Sequence, residues 1–94
     1  MGKLLILARY IFLIYIVDIN ESRKHIHVTF NRKGYKKSCK FWLEPEVCLD
    51  ENKKGEFSGK ELNEIKELIV ENKSVLMSQL ELFYSNHLVK AIKR

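Results

Sequence analysis

The chain has 94 residues, 46% of them hydrophobic and 31% charged, and a net charge of +5. That length bounds it to a single domain, 1–94, with enough apolar residues to build a core. Its two cysteines, Cys39 and Cys48, are too few for a disulfide scaffold and lack zinc-site spacing, so reduced thiols in a cytoplasmic protein are expected.

The charge is segregated along the chain. Residues 20–40 carry seven Lys and Arg side chains against Glu21, a balance of +6, whereas residues 41–72 carry nine acids against four lysines, a balance of −5. The basic share falls on the centre of the chain and on its C-terminal end.

Residues 4–17, LLILARYIFLIYIV, form the most apolar run. It is shorter than the roughly 20 apolar residues that a spanning helix needs, it contains Arg9, and no small-residue cleavage site follows. No membrane role is expected. Its β-branched and aromatic content predicts two strands, about 3–8 and 10–18, with a weakly marked turn at Ala8-Arg9; one long bent strand is the alternative. The second strand is apolar on both faces, which suggests a central position and a covering partner such as a second copy of the chain.

A polar loop leads to residues 25–45, HIHVTFNRKGYKKSCKFWLEP. A period of two places His25, His27 and Thr29 on one face of a strand and Ile26, Val28 and Phe30 on the other. Asn31, Arg32, Lys33 and Gly34 make a plausible turn. The returning strand puts Cys39, Phe41 and Leu43 on one side and Ser38, Lys40 and Trp42 on the other, and Pro45 stops it. If the apolar halves share a face, the opposite face gathers His25, His27, Thr29, Lys40 and Trp42. A mainly polar connection, 46–57, follows.

Ser58-Gly59-Lys60-Glu61 is a capping box that opens a helix over 58–72, with Leu62, Ile65, Leu68 and Ile69 on one face and Asn72 as its C-cap. A second helix is predicted over 75–88, with Leu76, Leu80, Phe83 and His87 on one stripe. The short Lys73-Ser74 link suggests an antiparallel pair, with one kinked helix as the alternative. Residues 89–94 are expected to fray as a basic tail. The fold expected is α+β: an antiparallel sheet of three or four strands, about 3–44, with the two helices packed on it.

Three groups of residues are candidates for function. His25 and His27 point the same way and suit acid–base work on a phosphodiester, with Lys40 steadying phosphate charge, although no nucleophile accompanies them. A metal would need a further ligand from His87, Glu44 or Glu46, and nothing in the spacing selects one, so no metal site and no cofactor is assigned. Trp42 either anchors a partner or stacks on a base, or else lies in the core with Phe41 outward; the core is the commoner fate of such a residue. The basic set Arg23, Lys24, Arg32, Lys33, Lys36, Lys37 and Lys40 suits RNA or DNA phosphates or an acidic protein, or forms a solvated edge.

The order of motifs resembles a small bacterial family described only as domain of unknown function forty-one-sixty. The residues that carry the resemblance are His25-Ile26-His27-Val28, Lys40-Phe41-Trp42-Leu43-Glu44-Pro45, Ser58 to Ile65, Asn72 and Phe83-Tyr84. Arg23-Lys24 stand where members often have prolines, and Ala8-Arg9 where they have a Gly-rich turn. The resemblance implies a gene next to that of another small protein, in an arrangement like toxin–antitoxin pairs, and carries no activity. The leading expectation is therefore a binding component of such a two-gene module, contacting that protein and nucleic acid through the basic hairpin. A small ribonuclease-like toxin using His25 and His27, and a structural oligomer, are the alternatives; binding is preferred to catalysis.

Overall fold

The computed structural model describes residues 2–15, 23–30, 37–52, 56–86 and 88–94. Six strands among them, β1 (Gly2–Leu7), β2 (Tyr10–Ile14), β3 (His25–Phe30), β4 (Ser38–Trp42), β5 (Cys48–Asn52) and β6 (Ile92–Lys93), form one sheet in the order β5-β4-β3-β2-β1-β6. Neighbours pair antiparallel, except that β6 runs parallel to β1. Helices α1 (Gly59–Glu71) and α2 (Lys73–Asn86) cover one face. The fold is α+β, as the residue pattern predicts.

The alternation of side chains sets which face is covered. Ile26 pairs with Phe41 and Val28 with Cys39, and all four are buried against Phe12, Ile65, Ile69, Leu76 and Leu80. The stripe runs through both helices at 65, 69, 72, 76, 80 and 83, so even Asn72 is buried. Closing a large aliphatic or aromatic side chain into such a layer contributes about 1.5–3 kcal/mol.

Local chemistry explains the element ends. Leu7 and Tyr10 close a two-residue hairpin whose first loop residue, Ala8, has φ 54°, a conformation that costs a non-glycine residue free energy. Gly2 opens β1 where a Cβ would meet the Phe83 ring at 2.7 Å. The capping box is formed: the Glu61 N–H donates to Ser58 Oγ at 3.2 Å and the Ser58 N–H donates to Glu61 Oε1 at 2.9 Å. The backbone N–H of Ser58, with Lys37 nearby, holds the Glu61 carboxyl below the usual carboxylate range.

Three expectations need correction. The segment 46–57, read as a polar connection, contains β5. Its side chains are mostly exposed, so no alternation marks it; backbone pairing to β4 makes it a strand, and the Asn52 side chain clamps both the N–H and the carbonyl of Phe57 at its end. The tail 89–94 does not fray. β6 pairs with Leu5 and Ile6, Arg94 N–H donates to the Ile6 carbonyl at 2.9 Å, and Gln79 Nε2 donates to the carbonyls of Leu4 and Lys90 at 2.9 and 2.7 Å. The sheet thus exceeds the expected three or four strands and the expected span 3–44, extending to both edges.

The helices also meet differently. Lys73 and Ser74 belong to α2, and Asn72 alone joins the two. Its N–H donates to the Leu68 carbonyl and its carbonyl accepts from the Leu76 N–H, both at 3.0 Å, so helical hydrogen bonds enter and leave the joint. With φ −112° and ψ 18°, Asn72 bends the chain there, which is the kinked alternative rather than an antiparallel hairpin.

Candidate functional site

The second face of the sheet, turned away from the helices, carries the residues singled out by alternation. His25 pairs with Trp42, His27 with Lys40 and Thr29 with Ser38, so the assumed register of the hairpin is the observed one. Trp42 is half-buried on this face, and Phe41 is the core residue. The expectation of Trp42 under the helices is corrected: Trp42 belongs to the side-chain set opposite Cys39 and Phe41.

Rings form a row across this face. Tyr15 meets His27 edge-on at 4.8 Å, His27 meets His25 at 5.4 Å, and His25 meets Trp42 at 5.4 Å. Cations flank the indole. Arg23 Cζ lies 4.3 Å and Lys40 Nζ 4.5 Å from its ring centroid, and the two residues sit on opposite sides of it along the strand direction. Arg23 is anchored there by donating from Nε to the Glu44 carbonyl at 2.6 Å and from Nη2 to Cys48 Sγ at 3.8 Å. Lys40 pairs with Asp50 at 3.6 Å, a reach that the bulge opposite Lys40 and Phe41 provides.

The basic set does not share one face. Lys24 and Lys37, each next to a second-face residue, alternate to the helix side. Lys24 Nζ lies 4.2 Å over the Tyr84 ring, and Lys37 Nζ donates to Glu61 Oε1 at 3.0 Å. Arg23 and Lys40 remain on the second face. Arg32, Lys33 and Lys36, the turn at 31–34, the end of the expected second strand (16–18) and His87 lie outside the described residues.

The two histidines are not equivalent. His25 is fully buried, with Nδ1 3.3 Å from the Arg23 carbonyl, whereas His27 is half-buried and lines a hollow with Tyr15, Ser38, Lys40 and Glu51. Glu44, one of the residues considered as a metal ligand, accepts the Lys24 N–H at Oε1, 3.1 Å away. Among the described residues no three His, Cys, Asp or Glu side chains are grouped to hold a metal. The two thiols lie on opposite faces: burial pushes the Cys39 thiol up to about 12, while Cys48 pairs with Trp42 beside Arg23.

Sequence reasoning missed Tyr15, Ser38 and Glu51 as lining residues, and Lys3, Ile11 and Leu13, which line a second hollow with Tyr15. The signal existed in part: Ile11, Leu13 and Tyr15 are two apart, on the face of that doubly apolar strand turned away from the helices, where Leu13 is buried and Tyr15 exposed.

A family model described as Domain of unknown function (DUF4160) matches residues 10–81. The chain belongs to that family. No curated protein and no solved structure matches it. The DUF4160 match takes in β2 to β5, α1 and most of α2, hence the whole Trp42 cluster with Arg23, Lys40 and their partners Glu44, Cys48 and Asp50; β1 and β6, paired at one edge, lie outside it. Among the described residues no helix of this DUF4160 chain is long and apolar enough to cross a membrane.

Proposed function

We propose that the chain is the binding component of a two-gene, toxin–antitoxin-like module and that it contacts the small protein encoded beside it through the second face of the sheet. The observation that carries this reading is Trp42 held between Arg23 and Lys40 on a face that the helices do not cover. Trp, Tyr and Arg in a half-buried, anchored cluster are the residue types that dominate protein interfaces.

A protein partner suits this face better than nucleic acid. Two cations already lie within 4.5 Å of the indole centroid, so a base would have to compete with them for the ring. Arg23, Lys24, Lys37 and Lys40 are each engaged with a carbonyl, a ring or a carboxylate, which lowers their value as phosphate contacts. Any nucleic-acid contribution would come from Arg32, Lys33 and Lys36. Acid–base catalysis by His25 and His27 is the weaker reading because only His27 of the pair reaches solvent.

The test is co-expression with the neighbouring small protein and affinity capture after nuclease treatment. A nuclease-resistant complex is expected, weakened by Trp42→Ala and by Arg23→Glu by about thirtyfold, the loss typical of an interface anchor. Capture unchanged by both variants would place the interface elsewhere, and a complex that disappears with nuclease would make nucleic acid the partner.

A further inference from the structure

Among the described residues β5 ends the sheet on one side and β6 on the other, and the two edges differ. β5 protects itself: it carries a bulge and the acids Asp50 and Glu51, features that discourage pairing with a further strand. At the other edge β6 is two residues long, and the strand beneath it is of the opposite kind. β1 has Lys3 as its one charge, followed by Leu4, Leu5, Ile6 and Leu7. A strand of that composition at an open edge is a template for another chain.

The segment 88–94 covers the β1 edge by polar bonds more than by burial. Ile92 and Lys93 pair with Leu5 and Ile6, and the Arg94 N–H donates to the Ile6 carbonyl. The buried Gln79 donates from Nε2 to the Lys90 carbonyl at 2.7 Å and to the Leu4 carbonyl at 2.9 Å. The Arg94 guanidinium donates from Nη1 to Asn72 Oδ1 at 2.9 Å, which ties the segment to the bend between the helices. Its side chains contribute less: Leu88, Ile92, Lys93 and Arg94 are exposed, and Val89 packs on the core. Release exchanges a few hydrogen bonds for bonds to water, each a small net loss, and opens the backbone of Leu5 and Ile6.

Charge decides what an open β1 edge takes. A two-fold antiparallel pair of β1 strands centred on Leu5 sets Leu4 opposite Ile6 and Lys3 opposite Leu7, so apolar residues face each other and no two lysines meet. The same operation on β5, centred on Asp50, sets Asp50 against Asp50. Pairing through β1 also closes on itself, because each copy uses the same edge, and gives a dimer and not a fibre.

We infer that residues 88–94 are a detachable cover of the β1 edge, and that the edge they cover pairs with β1 of a second copy of this chain. The inference stands apart from the second-face reading, since Trp42 lies on β4, with β3 and β2 between it and β1.

The experiment is sedimentation velocity of the full chain over a micromolar concentration series, beside the variant Arg94→Pro and with amide hydrogen exchange on both. Proline at 94 removes the N–H bonded to Ile6 and the guanidinium bonded to Asn72, at an exposed position. These losses raise the uncovered fraction about tenfold or more, and the dissociation constant for self-association falls by the same factor. In dilute Arg94→Pro, exchange quickens in β1 and 88–94 and stays slow in β3 and β4, the mark of release without unfolding. Adding Ile6→Lys puts a charge on the uncovered edge and returns the chain to monomer.

Self-association that Arg94→Pro does not strengthen, or that persists with Ile6→Lys added, would overturn the inference. Quickened exchange in β1 without a dimer would do the same, because the open edge would then take no second copy. Slow exchange throughout, in Arg94→Pro and in Arg94→Pro with Val89→Ser, would show a segment that does not detach and would equally overturn it.

Discussion

The two faces of the sheet are built from the same strands, yet they have different jobs. On the helix side Phe12, Ile26, Val28 and Phe41 are closed off by α1 and α2, and each contributes through burial. On the second face the alternate residues Tyr15, His27, Lys40 and Trp42 remain half-buried or exposed, held by ring contacts and local charge pairs. A one-residue step moves from a closed-off core side chain to a half-buried one, from Val28 to His27 along β3 and from Phe41 to Lys40 or Trp42 along β4, while His25 is buried on the second face as well. The comparison predicts that substitutions one residue apart separate stability from binding.

The largest effect is expected on the helix side. Phe12→Ala, which removes a fully buried ring, should lower the unfolding free energy by about 3–5 kcal/mol in a denaturant titration. Trp42→Ala should lower it by much less while weakening capture about thirtyfold; equal losses of stability at both sites would erase the distinction between the faces.

The thiols sharpen the comparison chemically. With its pKa raised to about 12, Cys39 stays neutral in the fold well above the range in which an unfolded thiol ionises. Its contribution to stability is complete below the unfolded thiol value and is lost as pH rises through the folded one. A thiol reagent at pH 8 should therefore label Cys48 rapidly and Cys39 only after unfolding. Rapid labelling of Cys39 in the native protein would show that the helix side is open.

The smallest effect is local to the hairpin of β1 and β2. Ala8→Gly relieves the positive φ and should stabilise the fold by about 0.5–1 kcal/mol, read as a rise in melting temperature with no change in capture. A loss of stability would mean that the Ala8 methyl group makes contacts worth more than the strain.

Legibility followed side-chain pattern. The central hairpin, its register and the capping box could be read because buried and open positions alternate at His25 to Phe30 and because Ser58 and Glu61 stand three apart. The split of the basic set was also written there: Lys24 and Lys37 are each one residue from a second-face position. β5 and β6 could not be read. Their side chains are largely exposed, so they are strands through backbone hydrogen bonds to β4 and β1, which no residue pattern records. The bend at Asn72 was legible as a cap, but whether the chain reverses there depends on the hydrogen bonds that continue across it.

By itself, the order of residues determined the α+β class, the hairpin with its two chemically distinct faces, the helix start at Ser58 and the family. Periodicity and capping are local, and they need no distant partner to be recognised. Only the tertiary structure decided which face the helices cover, that Trp42 stands between Arg23 and Lys40, and that the C-terminal segment closes the β1 edge. Those outcomes depend on which apolar surfaces meet and on where unpaired backbone groups find partners, and both are settled by residues far apart in the chain.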